Sequence, residues 1–134
     1  YAVFSVPFGA LADRIGSVEA LSFAYFLFFV AFLGLAFSAE VWTSVIFLML
    51  YGIATAGSET LQRTLASQIV PKEKMTGGFA TYQGITGLLL LPASLIAGFL
   101  WSAFSPSAAF IFSAACSILA LLFVQKVSAK SRRG

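Results

Sequence analysis

The residue of this sequence best suited to chemistry is Glu59, a carboxylate within a long apolar stretch. Arg63 follows four residues later, so on a helix the two side chains are neighbours of opposite charge. Counted from Val41 at about 1.5 Å per residue, Glu59 lies roughly 27 Å along such a helix. Two interpretations stay open: an ion pair that helps to end an apolar helix, or a coupling site that titrates with protons or contacts a substrate.

Two stretches carry polar side chains at helical spacing within apolar sequence. In the first, polar residues recur every three to four positions and therefore share one helical face. In the second, the polar patch is shorter. Because polar residues at membrane depth usually face a bundle interior or a water-filled cavity, we predict that both sets line a cavity. The candidates, apart from Glu59, are Tyr51, Thr55, Gln62, Tyr82, Gln83 and Thr86.

The elements that must position these residues are membrane spans. The 134 residues are 60% hydrophobic and only 10% charged, whereas a soluble domain carries about 25% charged residues. The uncharged gaps are long enough for the roughly 20 residues that a transmembrane helix needs. We therefore predict an all-α membrane protein, a polytopic transmembrane helix bundle. Its single partial domain, 1–134, has spans at about 1–12 (partial), 20–39, 41–66, 76–101 and 106–125, and a tail at 126–134.

The charge distribution predicts the orientation and excludes several functions. All eight basic residues fall on one side of these spans, which the positive-inside rule makes cytoplasmic, together with the tail 126–134. The basic tail is expected to lie in solvent rather than to bind nucleic acid. The chain has no histidine and one cysteine, Cys116, so an internal disulfide, a histidine-based zinc site and a Ser-His-Asp triad are excluded. We expect no enzyme activity, no cofactor and no metal.

Polarity also predicts which helices face lipid. The spans 20–39 and 106–125 are almost uniformly apolar, which indicates contact with lipid. The span 76–101 adds small residues that are expected to allow close packing against neighbouring helices; these are Gly84, Gly87, Ala93, Ala97 and Gly98. The stretch 1–12 is about 18 Å long as a helix, too short to cross roughly 30 Å of hydrocarbon. We expect it to be the end of a helix that begins in a missing segment of a longer protein.

Three motifs carry a family resemblance. The stretch Gly9-x-Leu11-Ala12-Asp13-Arg14-x-Gly16 resembles the loop signature G-x-L-x-D-R-x-G-R-[RK] of the major facilitator superfamily. That signature occurs between helices two and three and, more weakly, between helices eight and nine; Ser17 and Val18 replace its basic residues, which favours the second copy. The stretch 50–84 is similar to the family's helix-ten to helix-eleven passage. The stretches "LPASLIAGFLW" and "FSPSAAFIF" are similar to the helix-eleven to helix-twelve passage of bacterial members.

The resemblance implies a function. The chain would be the C-terminal half of a transporter, from the end of helix eight through helix twelve, in a bacterial inner membrane. It would belong to a secondary active, proton-coupled transporter that moves a small molecule by alternating access, in the direction of efflux. Helices ten and eleven would line the cavity, and Glu59 and Arg63 would be coupling or substrate residues. Its partners would be a small-molecule substrate, membrane lipid and the missing N-terminal half of the same chain.

The resemblance also gives the first motif a role. Gly9, Asp13, Arg14 and Gly16 would form a conformational loop that contacts the other half of the transporter and biases its access states. A helix-connecting turn without such a role is the alternative. For the whole chain, the alternative is a complete small four-helix exporter that acts as a dimer, in which Glu59 would be the lone glutamate of a span.

Overall fold

A computed structural model describes residues 2–133, which form five α-helices. These are α1 (Ala2–Ile15), α2 (Ser17–Phe37), α3 (Val41–Ile69), α4 (Met75–Ala103) and α5 (Pro106–Arg133), with a short 3-10 turn at Lys72–Lys74 before α4. Within residues 2–133 no strand is present. The helices α2 to α5 are each long and apolar enough to cross a membrane. The predicted class, an all-α transmembrane helix bundle, is confirmed.

The helices end where the sequence offers a local reason. Gly16 alone separates α1 from α2 and has a φ of 100°, a left-handed conformation that glycine adopts without steric cost. Pro71 precedes the 3-10 turn, and Pro106 opens α5, where a missing N–H is no loss. Ser105 caps that helix, because its Oγ accepts a 3.2 Å hydrogen bond from the backbone N–H of Ala108.

The first motif differs from its prediction as a loop. Helix α1 continues through Ile15, so Gly9, Asp13 and Arg14 are helical and only Gly16 breaks the chain. The backbone N–H of Gly16 still donates to the carbonyl of Ala12 at 2.9 Å, and its own carbonyl accepts from Ala20 at 3.1 Å. A one-residue break therefore leaves fewer backbone groups without partners than a longer loop would.

Helix α2 lies at the centre of the bundle and packs against α1, α3 and α5. Its buried residues include Ala20, Ala24 and Ala31, each with no exposed surface. Small side chains let helix backbones approach closely. With Phe8 of α1 and Leu61 of α3, the first two belong to the hydrophobic core of the bundle.

Helices consecutive in the chain run in opposite directions, and many of the charged residues lie at one end of the bundle. There, the beginning of α2 lies beside the ends of α3 and α5. The side chain of Gln68 donates to the Ser17 hydroxyl at 3.5 Å, and Arg132 donates to and forms an ion pair with Glu19. Arg14 lies in the last turn of α1. We call this end of the bundle the basic end.

Helix α4 lies at the periphery. It has no buried residue, and it contacts α5 through Trp101 and Phe110, whose ring centroids are 5.8 Å apart. A Cβ added at Gly84, Gly87 or Gly98 would meet no atom within 4 Å. Within residues 2–133, these glycines are therefore not close-packing positions.

Candidate functional site

The side chain of Gln62 links three helices. Its Oε1 accepts a 2.5 Å hydrogen bond from the Tyr82 hydroxyl on α4. Its Nε2 donates a 3.2 Å hydrogen bond to the Tyr25 hydroxyl on α2. All three side chains are half-buried. The polar stripe of α3 and the polar patch of α4 therefore meet at Gln62 and Tyr82, and we call these three residues the Tyr–Gln–Tyr link.

Tyr25 is a residue of the link that the sequence did not indicate. Helix α2 is so uniformly apolar that its composition does not indicate which face turns towards α3. The available signal was the phenol itself, because a buried tyrosine hydroxyl usually finds a hydrogen-bond partner. The partner could not be identified without the packing of α2 on α3.

The first two residues of the polar stripe of α3, Tyr51 and Thr55, have different surroundings from Gln62. Tyr51 packs against Phe28 and Phe32 of α2, with ring centroids 5.6 and 5.5 Å apart. The Thr55 hydroxyl donates to the backbone carbonyl of Tyr51 at 2.9 Å. Tyr51 and Thr55 both line an open groove of about 570 Å³ between α1 and α3, whose other walls include Phe4 and Met49. This groove combines aromatic and apolar side chains with the Thr55 hydroxyl, which can still accept a hydrogen bond, so it is suited to a mainly apolar small molecule that carries a hydroxyl group.

The remaining polar residues of α4 do not extend the link. Thr86 donates to the carbonyl of Tyr82 at 2.8 Å, so its hydroxyl is satisfied within its own helix. Gln83 is exposed on a different side of α4. The structure therefore divides the six predicted cavity residues into three groups. Tyr51 and Thr55 line the groove, Gln62 and Tyr82 belong to the link, and Gln83 and Thr86 belong to neither.

Glu59 and Arg63 form the neighbouring pair that their spacing predicts. Arg63 Nη2 lies 4.0 Å from Glu59 Oε2, and the two side chains are 57% and 47% exposed, respectively. They lie on the opposite side of α3 from Leu61, which is fully buried. An ion pair this long and exposed contributes little to stability. The choice between a helix-ending pair and a coupling site remains a prediction.

The charged residues of the first motif are also exposed. Asp13 and Arg14 lie in the last turn of α1, where the positive charge of Arg14 interacts favourably with the helix dipole. A Cβ added at Gly16 would lie 2.7 Å from Glu19 Oε2, the mobile end of a long side chain. The left-handed backbone at residue 16 is therefore the feature that calls for glycine.

No group of three or more histidine, cysteine, aspartate or glutamate side chains suited to a metal is found among residues 2–133. Cys116 is exposed on α5. The chemistry available at the described sites is hydrogen bonding, aromatic contact and ion pairing.

Four membrane-length helices around a hydrophobic core, three of them joined by a half-buried polar link, define a polytopic membrane protein. The sequence profile of the Major Facilitator Superfamily matches residues 1–133. The chain belongs to this superfamily of membrane transporters.

Two curated relatives carry transporter names. An uncharacterised MFS-type transporter of Methanocaldococcus jannaschii is 34% identical over 127 residues, which are 92% of this chain and 32% of the relative. A D-xylose transporter of Levilactobacillus brevis is 30% identical over 118 residues, 87% of this chain and 25% of the relative. The chain thus spans about a third and a quarter of their lengths. No solved structure matches the chain significantly.

Proposed function

We propose that this chain forms the C-terminal half, from the end of helix eight through helix twelve, of a secondary active transporter that works by alternating access. The membrane is a bacterial inner membrane, and the basic end with residues 126–134 is cytoplasmic, following the positive-inside rule. Family membership supports transport, and the share of the relatives' length that the chain covers supports a larger protein. The observation that carries the proposal is the Tyr–Gln–Tyr link, which joins polar groups of α2, α3 and α4 at half-buried positions of an otherwise apolar bundle.

The substrate is a small molecule that the α1–α3 groove helps to bind. Tyr51 and Thr55 supply an aromatic face and a hydroxyl there. The relative named as a D-xylose transporter supports a sugar as the first substrate to test. Efflux is the direction that we infer from the bacterial character of the helix-eleven motif. Counterflow of labelled D-xylose tests whether this sugar is a substrate. Export of D-xylose from loaded vesicles tests the direction of transport.

Proton coupling is assigned to Glu59. Its carboxylate lies ten positions before the end of α3 at Ile69, close to the basic end, where a transported proton would enter or leave. In proteoliposomes that contain the native gene product, Glu59→Gln is expected to abolish transport driven by a pH gradient and to preserve substrate exchange, because an amide cannot release a proton. Arg63→Gln is expected to retain part of the gradient-driven rate.

The matched control is Glu73→Gln, which removes the same charge from the exposed turn at Lys72–Lys74 and should leave both activities unchanged. Wild-type rates with a normal pH dependence in Glu59→Gln would exclude Glu59 as the coupling residue.

The two-half architecture is tested by the intact mass of the native gene product in its source membrane. A mass about three times the 14.3 kDa of this chain is expected, and the 134-residue chain alone should not transport in liposomes. A native mass near 14.3 kDa, together with transport by that protein, would instead support the small four-helix exporter that acts as a dimer.

A further inference from the structure

A cleft of about 550 Å³ lies at the basic end of the bundle, between the beginning of α2 and the end of α5. It is separate from the Tyr–Gln–Tyr link and from the α1–α3 groove. Its wall combines charged groups with side chains able to form hydrogen bonds. These residues are Glu19, Ser22, Gln125, Ser128, Arg132 and Arg133.

The charges of the cleft favour an anion. Arg132 Nη2 donates to Glu19 Oε1, which holds the guanidinium of α5 against α2. A guanidinium has five N–H donors, so this pair leaves donors for a ligand. Arg133 adds a second positive charge, and two arginines against one glutamate give the cleft a formal charge of +1. Arginine matches the geometry of a phosphate with two parallel hydrogen bonds.

The depth of the cleft places it among lipid headgroups. Helix α5 has 28 residues and is therefore about 42 Å long, whereas the hydrocarbon layer is about 30 Å thick. Counted from Pro106, roughly 20 residues cross that layer, which puts Gln125 near its boundary and the arginines beyond it.

Apolar surface continues from the cleft towards the hydrocarbon. Phe26 lies one turn after Ser22 on α2, and Leu122 lies one turn before Gln125 on α5, so each shares a helical face with a residue of the cleft. Their exposed fractions are 48% and 56%. A ligand with a charged head and an apolar chain therefore has a surface for each part.

We propose that this cleft binds an anionic phospholipid. The phosphate contacts Arg132 and Arg133, the serine hydroxyls contact the rest of the headgroup, and one acyl chain lies along Phe26 and Leu122. A basic pocket between membrane helices at the headgroup level is the kind of site at which anionic lipids bind. The site is independent of the transport cycle proposed above.

The experiment counts lipid bound to the purified native gene product in detergent, by native mass spectrometry during titration with phosphatidylglycerol. A basic residue that contacts an anionic headgroup contributes about five-fold to its binding, so loss of both contacts in Arg132→Gln with Arg133→Gln is expected to weaken binding about 30-fold. The matched control is Lys126→Gln with Lys130→Gln, which removes the same charge from the same helix end outside the cleft. Its expected loss is less than about five-fold.

Three results would overturn the proposal. Equal losses in the two double variants would indicate general attraction to a basic helix end. Displacement of phosphatidylglycerol by equimolar inorganic phosphate would indicate a site for a soluble anion. Binding of phosphatidylethanolamine as tight as that of phosphatidylglycerol, and lost in Glu19→Gln, would indicate that the cleft binds a zwitterionic lipid. If the double variant fails to fold, Arg133→Gln keeps the Arg132–Glu19 pair and is expected to weaken binding about five-fold.

Discussion

Helices α2 and α4 are both long enough to cross a membrane, yet they occupy opposite environments. Six residues of α2 are buried, and four of them are alanine. No residue of α4 is buried, although it carries glycines of even smaller size. The uniformly apolar helix is thus the central one, and the helix with polar residues and glycines is peripheral. Small side chains permit close packing but do not by themselves bring a neighbour to the helix.

The two helices are connected indirectly. The Gln62 side chain of α3 accepts a hydrogen bond from the Tyr82 hydroxyl of α4 and donates one to the Tyr25 hydroxyl of α2. The peripheral helix is therefore attached to the buried part of the bundle through a hydrogen-bonded link as well as through its aromatic contact with α5. The hydrogen bond fixes which face of α4 turns towards α3. A purely apolar contact would not distinguish that face from the other faces of the helix.

The largest effect is expected when bulk is added to the buried side of the bundle. A Cβ at Gly57 would lie 2.6 Å from Cε1 of Phe8, and Phe8 is itself only 6% exposed, so its ring has little room to move. Gly57→Val should lower the free energy of unfolding by about 1–3 kcal/mol. Thermal unfolding of the native gene product in detergent measures the change.

The control is Gly87→Val on α4, where a Cβ meets nothing within 4 Å. Its expected change is within about 0.5 kcal/mol. Equal destabilisation by the two variants would end the contrast between the buried side of the bundle and α4, because it would place a segment outside residues 2–133 against Gly87.

A smaller effect is expected when the link itself is cut. Gln62→Leu removes both hydrogen bonds but keeps a side chain of similar length, and it should lower the free energy of unfolding by about 1 kcal/mol. Gln83→Leu makes the same chemical change on the exposed side of α4 and should be nearly neutral. If both variants unfold at the same Tm, the link does not attach α4 to the bundle. Proteolysis of α4 in lipid nanodiscs supplies a second readout.

The smallest effect is expected at the ion pair between α2 and α5. The side chains of Arg132 and Glu19 are 72% and 34% exposed, so water and salt weaken their attraction. Glu19→Gln should lower the free energy of unfolding by no more than about 0.5 kcal/mol, and less at high salt. A loss that exceeds that of Gln62→Leu would mean that the α2–α5 ion pair stabilises the bundle more than the Tyr–Gln–Tyr link does.

Much of this protein follows from the sequence by itself. The uncharged runs determined four membrane-length helices, since each is a local property of about 20 residues. Proline restricts the residue before it and lacks an N–H, so Pro71 and Pro106 are local reasons for the breaks before the 3-10 turn and before α5. The spacing of Glu59 and Arg63 set their neighbouring positions on α3. The stripe from Tyr51 to Gln62 indicated the polar face of that helix.

Only the tertiary structure decided how the helices turn towards one another. A helix that is apolar all round has no amphipathic face, so nothing local showed that α2 is central or that Tyr25 reaches Gln62. The division of Tyr51 and Gln62 between a groove and a link likewise depends on where α1, α2 and α4 lie around α3. Charge pairs such as Glu19 and Arg132 join residues far apart in the chain. Local hydropathy sets which segments leave water, whereas the packing of side chains across helices sets the partners that each segment meets.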